Sequence, residues 1–113
     1  MKWPRHNKYG NHKVVFRGIT FDSRHEAEIY QQLWILERAK VIHDLRLQVP
    51  FEIVEAYVIN GRKVRAVKYI ADFVFINDKG NTEVWDAKGM KTDVYKLKKK
   101  LFEKRYGIEI KEV

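Results

Sequence analysis

Three residues in the second half of the chain carry the first hint of chemistry: Asp72, Asp86 and Lys88. Asp72 interrupts the apolar run from Tyr69 to Ile76, and Asp86 and Lys88 flank Ala87 at the end of a second run beginning at Thr82. In a strand, residues i and i+2 point to the same face. Asp86 and Lys88 should therefore project together, and a neighbouring strand can bring Asp72 beside them. Two carboxylates and an ammonium gathered on one sheet face are costly to bury without a partner. A divalent cation would lift that cost, because hard ions such as Mg²⁺ take carboxylate oxygens. The structural alternative is a salt-bridge cluster of Lys88 with Asp86. Glu83 stands three residues before Asp86 and points to the opposite face.

The elements that must position these residues can be read from turn and cap signals. Asn77 to Asn81 is a Gly-containing turn between the two apolar runs, the mark of a hairpin. Upstream, Asn60-Gly61 is the strongest hairpin turn in the chain. Strands are expected over 51 to 59, 62 to 76 and 83 to 88, a three-stranded antiparallel meander. Leu45 and Leu47 alternate with Arg46 and Gln48 in a short extended piece that leads into it, interrupted at Pro50.

A helix is expected from Ser23 to about Ala39. Ser23 with Glu26 three residues on matches a capping box, and Ala27, Ile29, Tyr30, Leu33, Trp34 and Leu36 give a broad apolar face at helical spacing. Glu26 can be the cap alone or a third carboxylate for the site. A second helix is expected after Thr92, with Asp93 favourable to the helix dipole and Gly107 ending it. Its apolar stripe reads Val94, Leu97 and Leu101, with Phe102 beside it, and lysines surround the rest. Ile108, Ile110 and Val113 form a last strand, which can lie parallel to its predecessor after a crossover through the helix. Val14 to Phe21 reads as a short strand broken at Gly18, and residues 1 to 13 as a basic mobile arm ahead of a single domain over 14 to 113. His6 and His12 in that arm are read as ordinary polar residues.

Composition narrows the function. The 113 residues are 45% hydrophobic, enough for one compact domain. The absence of cysteine excludes disulfides, zinc-thiolate sites and thiol nucleophiles. No apolar run approaches the roughly 20 residues of a membrane span, and the first residues do not resemble a signal peptide. A cytoplasmic protein without a membrane partner is expected. The formal net charge of +8 favours polyanions.

Helix Glu26, strand Asp72 and the Asp86-Ala87-Lys88 triplet together resemble the PD-(D/E)xK nuclease superfamily, over about residue 23 to the end. Small phage-encoded nucleases and Holliday junction resolvases are the members it looks most like. The resemblance implies an α/β (α+β) restriction-endonuclease-like core, α-β-β-β-α-β, with a mixed sheet flanked by helices. It implies Mg²⁺, with Mn²⁺ substituting, held by Glu26, Asp72, Asp86 and the backbone carbonyl of Ala87. Lys88 would orient or deprotonate the attacking water. Ala71 stands where the family has Pro; that position shapes the strand and ligates nothing. Gln48 reads first as an ordinary exposed glutamine, and by the resemblance as a polar accessory of the site. Lys91, Lys96, Lys98, Lys99 and Lys100, with Lys2, Arg5 and Lys8 of the arm, are expected to contact DNA phosphates. The implied activity is a DNA endonuclease acting on branched four-way junctions. Its paired incisions imply a homodimer, with Trp3, Phe16, Trp34 and Leu36 as candidate contacts. General or restriction-type cleavage, and a basic binding module with structural carboxylates, are the rival readings.

Overall fold

Ser23 starts the first helix as its residue type demands. Its extended backbone leaves the side-chain oxygen free to accept from the Glu26 backbone N–H at 3.1 Å. The computed structural model describes residues 13–87 and 89–113. In chain order they form β1 (Val14–Phe16), β2 (Ile19–Phe21), α1 (Arg24–Arg38), β3 (His43–Val54), β4 (Tyr57–Ile59), β5 (Arg62–Val64), β6 (Val67–Ile76), β7 (Thr82–Asp86), α2 (Asp93–Tyr106) and β8 (Ile110–Glu112). The expected arm lies outside the described residues except for Lys13.

The main sheet is mixed, in the order β3-β6-β7-β8. β6 pairs antiparallel with β3 and β7, and β8 lies parallel to β7 after the α2 connection, as expected. Three boundaries differ from the sequence reading. β3 runs straight through Pro50, which is tolerated because β3 is an edge strand and the missing N–H breaks no interior ladder. The segment expected to extend the meander instead forms a separate two-stranded ribbon, β4–β5, because both strands leave the ladder between Val54 and Val67. The expected break at Gly18 is a tight turn, and β1 and β2 pair as a hairpin.

α1 buries Ala27, Tyr30 and Leu33 against the sheet, as its spacing predicts. α2 buries only the end of its predicted stripe, where Leu101 packs against the core beside Phe102. Val94 and Leu97 are 63% and 58% exposed, while Tyr95 and Phe102 are buried against Tyr69, with ring centroids 6.5 and 5.4 Å away. The helix is turned to seat its large rings, which cover more area than Val or Leu.

The core is two packets. Phe21, Ala27, Tyr30, Leu33, Phe73 and Phe75 pack on the α1 side, and Tyr69, Ala71, Val74, Val84, Tyr95 and Phe102 on the α2 side. β3 and β6 each change sides midway. Leu45 and Leu47 belong to the α1 packet, but Val49 and Phe51 to the α2 packet. Opposite them, Phe73 and Phe75 lie on the α1 side, and Ala71 and Tyr69 on the α2 side. The pairs Leu47–Phe73 and Val49–Ala71 bracket the switch. At its centre stands Gln48, whose φ of 53° puts a non-glycine residue in the left-handed region. Such a residue breaks the two-residue alternation of a strand, at a cost of roughly 1–2 kcal/mol.

Candidate active site

The switch point is where the acidic residues meet open space. A cavity of about 740 Å³ is lined by Asp22, Ser23, His25 and Glu26 from the start of α1, Gln48 from β3, Asp72 from β6, and Ala87, Gly89 and Met90 beyond β7. Asp72 is held on both oxygens. Gln48 donates its Nε2–H to Oδ1 at 3.1 Å, and the Ala87 backbone N–H donates to Oδ2 at 2.8 Å. Each carboxylate oxygen keeps a further acceptor position. His25 donates from Nε2 to the backbone carbonyl of Val113 at 2.9 Å.

Glu26 donates its backbone N–H to the Ser23 cap, and it is one of the residues that line the cavity with Asp72. Gln48 is exposed, as first read, and its side chain donates to Asp72.

Asp86 differs from the sequence expectation. It does not line this cavity. It is 0% exposed, on the α2 side with Val84, and its Oδ2 accepts the Tyr69 hydroxyl at 2.6 Å. Trp85 and Ala87, the alternating residues, face the α1 packet. The physical reason is the switch in β6. Unbroken alternation would set Asp72 on the side of Val74 and Asp86, and the switch turns it to the side of Glu26. Both acids still act on Tyr69. Burial first, then the hydrogen bond to Asp86 and the charges of Asp86, Tyr95 and Asp72, hold its hydroxyl far above an ordinary phenol. Lys88 lies outside the described residues, as do Lys2, Arg5 and Lys8.

Among the described residues, no group of three His, Cys, Asp or Glu side chains stands ready to hold a metal ion. What the cavity does offer is Glu26 and Asp72. Mg²⁺ keeps several waters and is commonly bound through one or two carboxylates, so these donors fit a hard hydrated cation. Among the described residues, Asp86 does not join Glu26 and Asp72 in lining this cavity.

The lysines expected to contact phosphate divide into two kinds. Lys91 and Lys99 reach Glu112 at 3.2 and 3.5 Å. Glu112 is held below the usual carboxylate range, first by the Tyr95 hydroxyl that donates to it at 2.8 Å and then by these two cations. Lys96 and Lys100 are exposed, and Lys98 lines a groove of about 330 Å³ with Lys68, Tyr69, Ile70 and Tyr95. Ile70 also lines the acidic cavity, so groove and cavity adjoin.

Sequence reasoning passed over three participants. Asp22 and His25 line the cavity, and Tyr69 supports Asp86. Asp22 and His25 flank the Ser23 cap, and that adjacency was their one signal. Among the described residues no helix is long and apolar enough to cross a membrane. No curated protein and no solved structure matches the chain. A family model does match, over residues 6–112, and the chain belongs to that family, described as a protein of unknown function (DUF1064).

Proposed function

We propose that the chain is a metal-dependent DNA endonuclease with a restriction-endonuclease-like core, acting as a homodimer on four-way junctions. The observation that carries this reading is the cavity that Glu26 and Asp72 both line, with Asp72 held by Gln48 and the Ala87 backbone. Glu26 and Asp72 would hold Mg²⁺, which when bound neutralises phosphate charge and lowers the pKa of a coordinated water. Gln48 and the Ala87 N–H keep the Asp72 carboxylate in one orientation, so it need not reorganise during reaction. Lys88 is the residue that the resemblance assigns to the attacking water. Asp86, buried against Tyr69, supports the strand end from which Ala87 donates. The net charge of +8 supports a polyanionic substrate.

A second reading, a basic nucleic-acid-binding module without catalysis, has one observation in its favour: Asp86 is buried on Tyr69 and does not line the cavity with Asp72. Cleavage of a four-way junction and of linear duplex of the same sequence, each with Mg²⁺ and with EDTA, decides between them. Paired incisions in the junction that require Mg²⁺ are expected, with two copies per junction by sedimentation. Asp72→Ala should abolish cutting and leave DNA binding intact. Glu26→Gln, which a capping box accepts, should lower cutting with little change in melting temperature. Binding without cutting under any metal would leave the module reading standing. A monomer that nicks one strand would make the protein a general nuclease.

A further inference from the structure

We infer that the β4–β5 ribbon is a nucleic-acid grip that seats in a groove of duplex DNA; this rests on the reading of the chain as a DNA-acting protein. The ribbon leaves the main sheet as a two-stranded unit of its own, in the register Tyr57–Val64, Val58–Lys63 and Ile59–Arg62. Every residue from Glu55 to Lys63 is exposed. A lone two-stranded hairpin is marginally stable in water, and this one shows water both of its faces. Tyr57, Ile59, Arg62 and Val64 share one face by that register, and Val58 and Lys63 the other. Exposed apolar side chains on both faces of a projecting ribbon point to a partner that surrounds it.

Charge identifies the partner. From Ala56 to Lys68 the sequence holds Arg62, Lys63, Arg65 and Lys68 and no acidic residue. All four cations are exposed. The nearest acid, Glu55, is engaged with Arg105 at 3.4 Å. That contact, with the Tyr106 hydroxyl donating to the Glu52 carbonyl at 2.8 Å, ties the root of the ribbon to the end of α2. The major groove of B-DNA, about 12 Å wide, admits a two-stranded ribbon. Lys68 continues the basic run into the groove that it lines with Lys98, next to the acidic cavity. Asp72 and Arg62 stand ten residues apart along the chain. At roughly 3.3 Å per residue that path spans at most about 33 Å, so the two lie within about one duplex turn of each other. The grip would therefore hold the same duplex arm that enters the cavity.

The test is binding of a duplex in EDTA, by fluorescence anisotropy over a range of salt, so that cleavage plays no part. Arg62→Ala/Lys63→Ala/Arg65→Ala should weaken binding and flatten the slope of log K against log salt by about 2 to 3, at roughly 0.9 per lost phosphate contact. Lys63→Gln alone should flatten it by about 1, and serves if the triple variant melts early. Parent-like slope and affinity in both variants would overturn the grip while leaving the nuclease reading untouched. A ribbon-dependent salt slope in a parent protein that cuts no DNA with Mg²⁺ would do the reverse. Two further results would also overturn the grip if DNA binding stays at the parent level: ribbon-dependent binding to vesicles of anionic lipid, or a changed sedimentation mass in the triple variant.

Discussion

Gln48 has a backbone conformation that the sequence does not signal. Nothing in its neighbourhood signals a left-handed backbone, because the flanking Leu47 and Val49 favour a strand. The structure gives it a φ of 53° and a hydrogen bond to Asp72. Gln48→Gly separates the two roles. Glycine adopts positive φ freely but costs roughly 0.5–1 kcal/mol of chain entropy, which offsets the relief of strain. Stability in urea should stay within about 1 kcal/mol of the parent, while cleavage falls because Asp72 loses a donor. A Gln48→Gly protein that cuts at the parent rate would remove Gln48 from the site. Tyr69 supplies a pH test. Its hydroxyl, and that of Tyr95, are raised in the fold above the phenol value of 10.0, first by burial and then by hydrogen bonds to Asp86 and Glu112. A raised folded pKa means that their contribution is whole below pH 10 and is lost as pH climbs beyond it. Phenolate absorbance from these two tyrosines should appear together with unfolding, and Tyr69→Phe should reduce that alkaline loss. Smooth ionisation of all six tyrosines in a folded protein would contradict the buried pair. The types of the acidic residues were legible at this scale. The company of Asp72 with Asp86 was not, because Asp72 lies where β6 breaks its alternation.

Elements with a local chemical signal were legible. Ser23, Thr92 and Gly107 cap their helices where the sequence puts them, Thr92 accepting from the Tyr95 N–H at 3.1 Å and Gly107 adopting a φ of 68°. Thr92→Ala should cost about 1 kcal/mol in denaturant unfolding, and more than Leu97→Ala, whose side chain is mostly in water. Equal losses would mean that Leu97 is covered in solution. The stripe of α2 was misread because Val94, Leu97 and Leu101 fit helical spacing as well as Tyr95 and Phe102 do. The aromatic floor made by Tyr69 decides between them, and that floor is tertiary. Pro50 was read as a break because edge position, which makes a proline harmless, depends on the order of strands in space.

Across the whole molecule, the order of elements and the parallel return of β8 were legible, and the division of the sheet was not. That division has a mechanical consequence. A strand pair that changes sides in step is a crease, and the two helices grip the sheet on opposite sides of it. Glu26 rides with one half, Asp86 with the other, and Asp72 lies on the fold line. Any tilt of one half against the other is felt first at the carboxylate that both Gln48 and Ala87 hold. Opening free energies of amide hydrogens should accordingly fall into two cooperative sets, one following α1 and one following α2, with Asp72 and Gln48 at their border. A single uniform set would mean that the crease is rigid, and that Glu26 and Asp72 keep a fixed spacing whether or not substrate is bound.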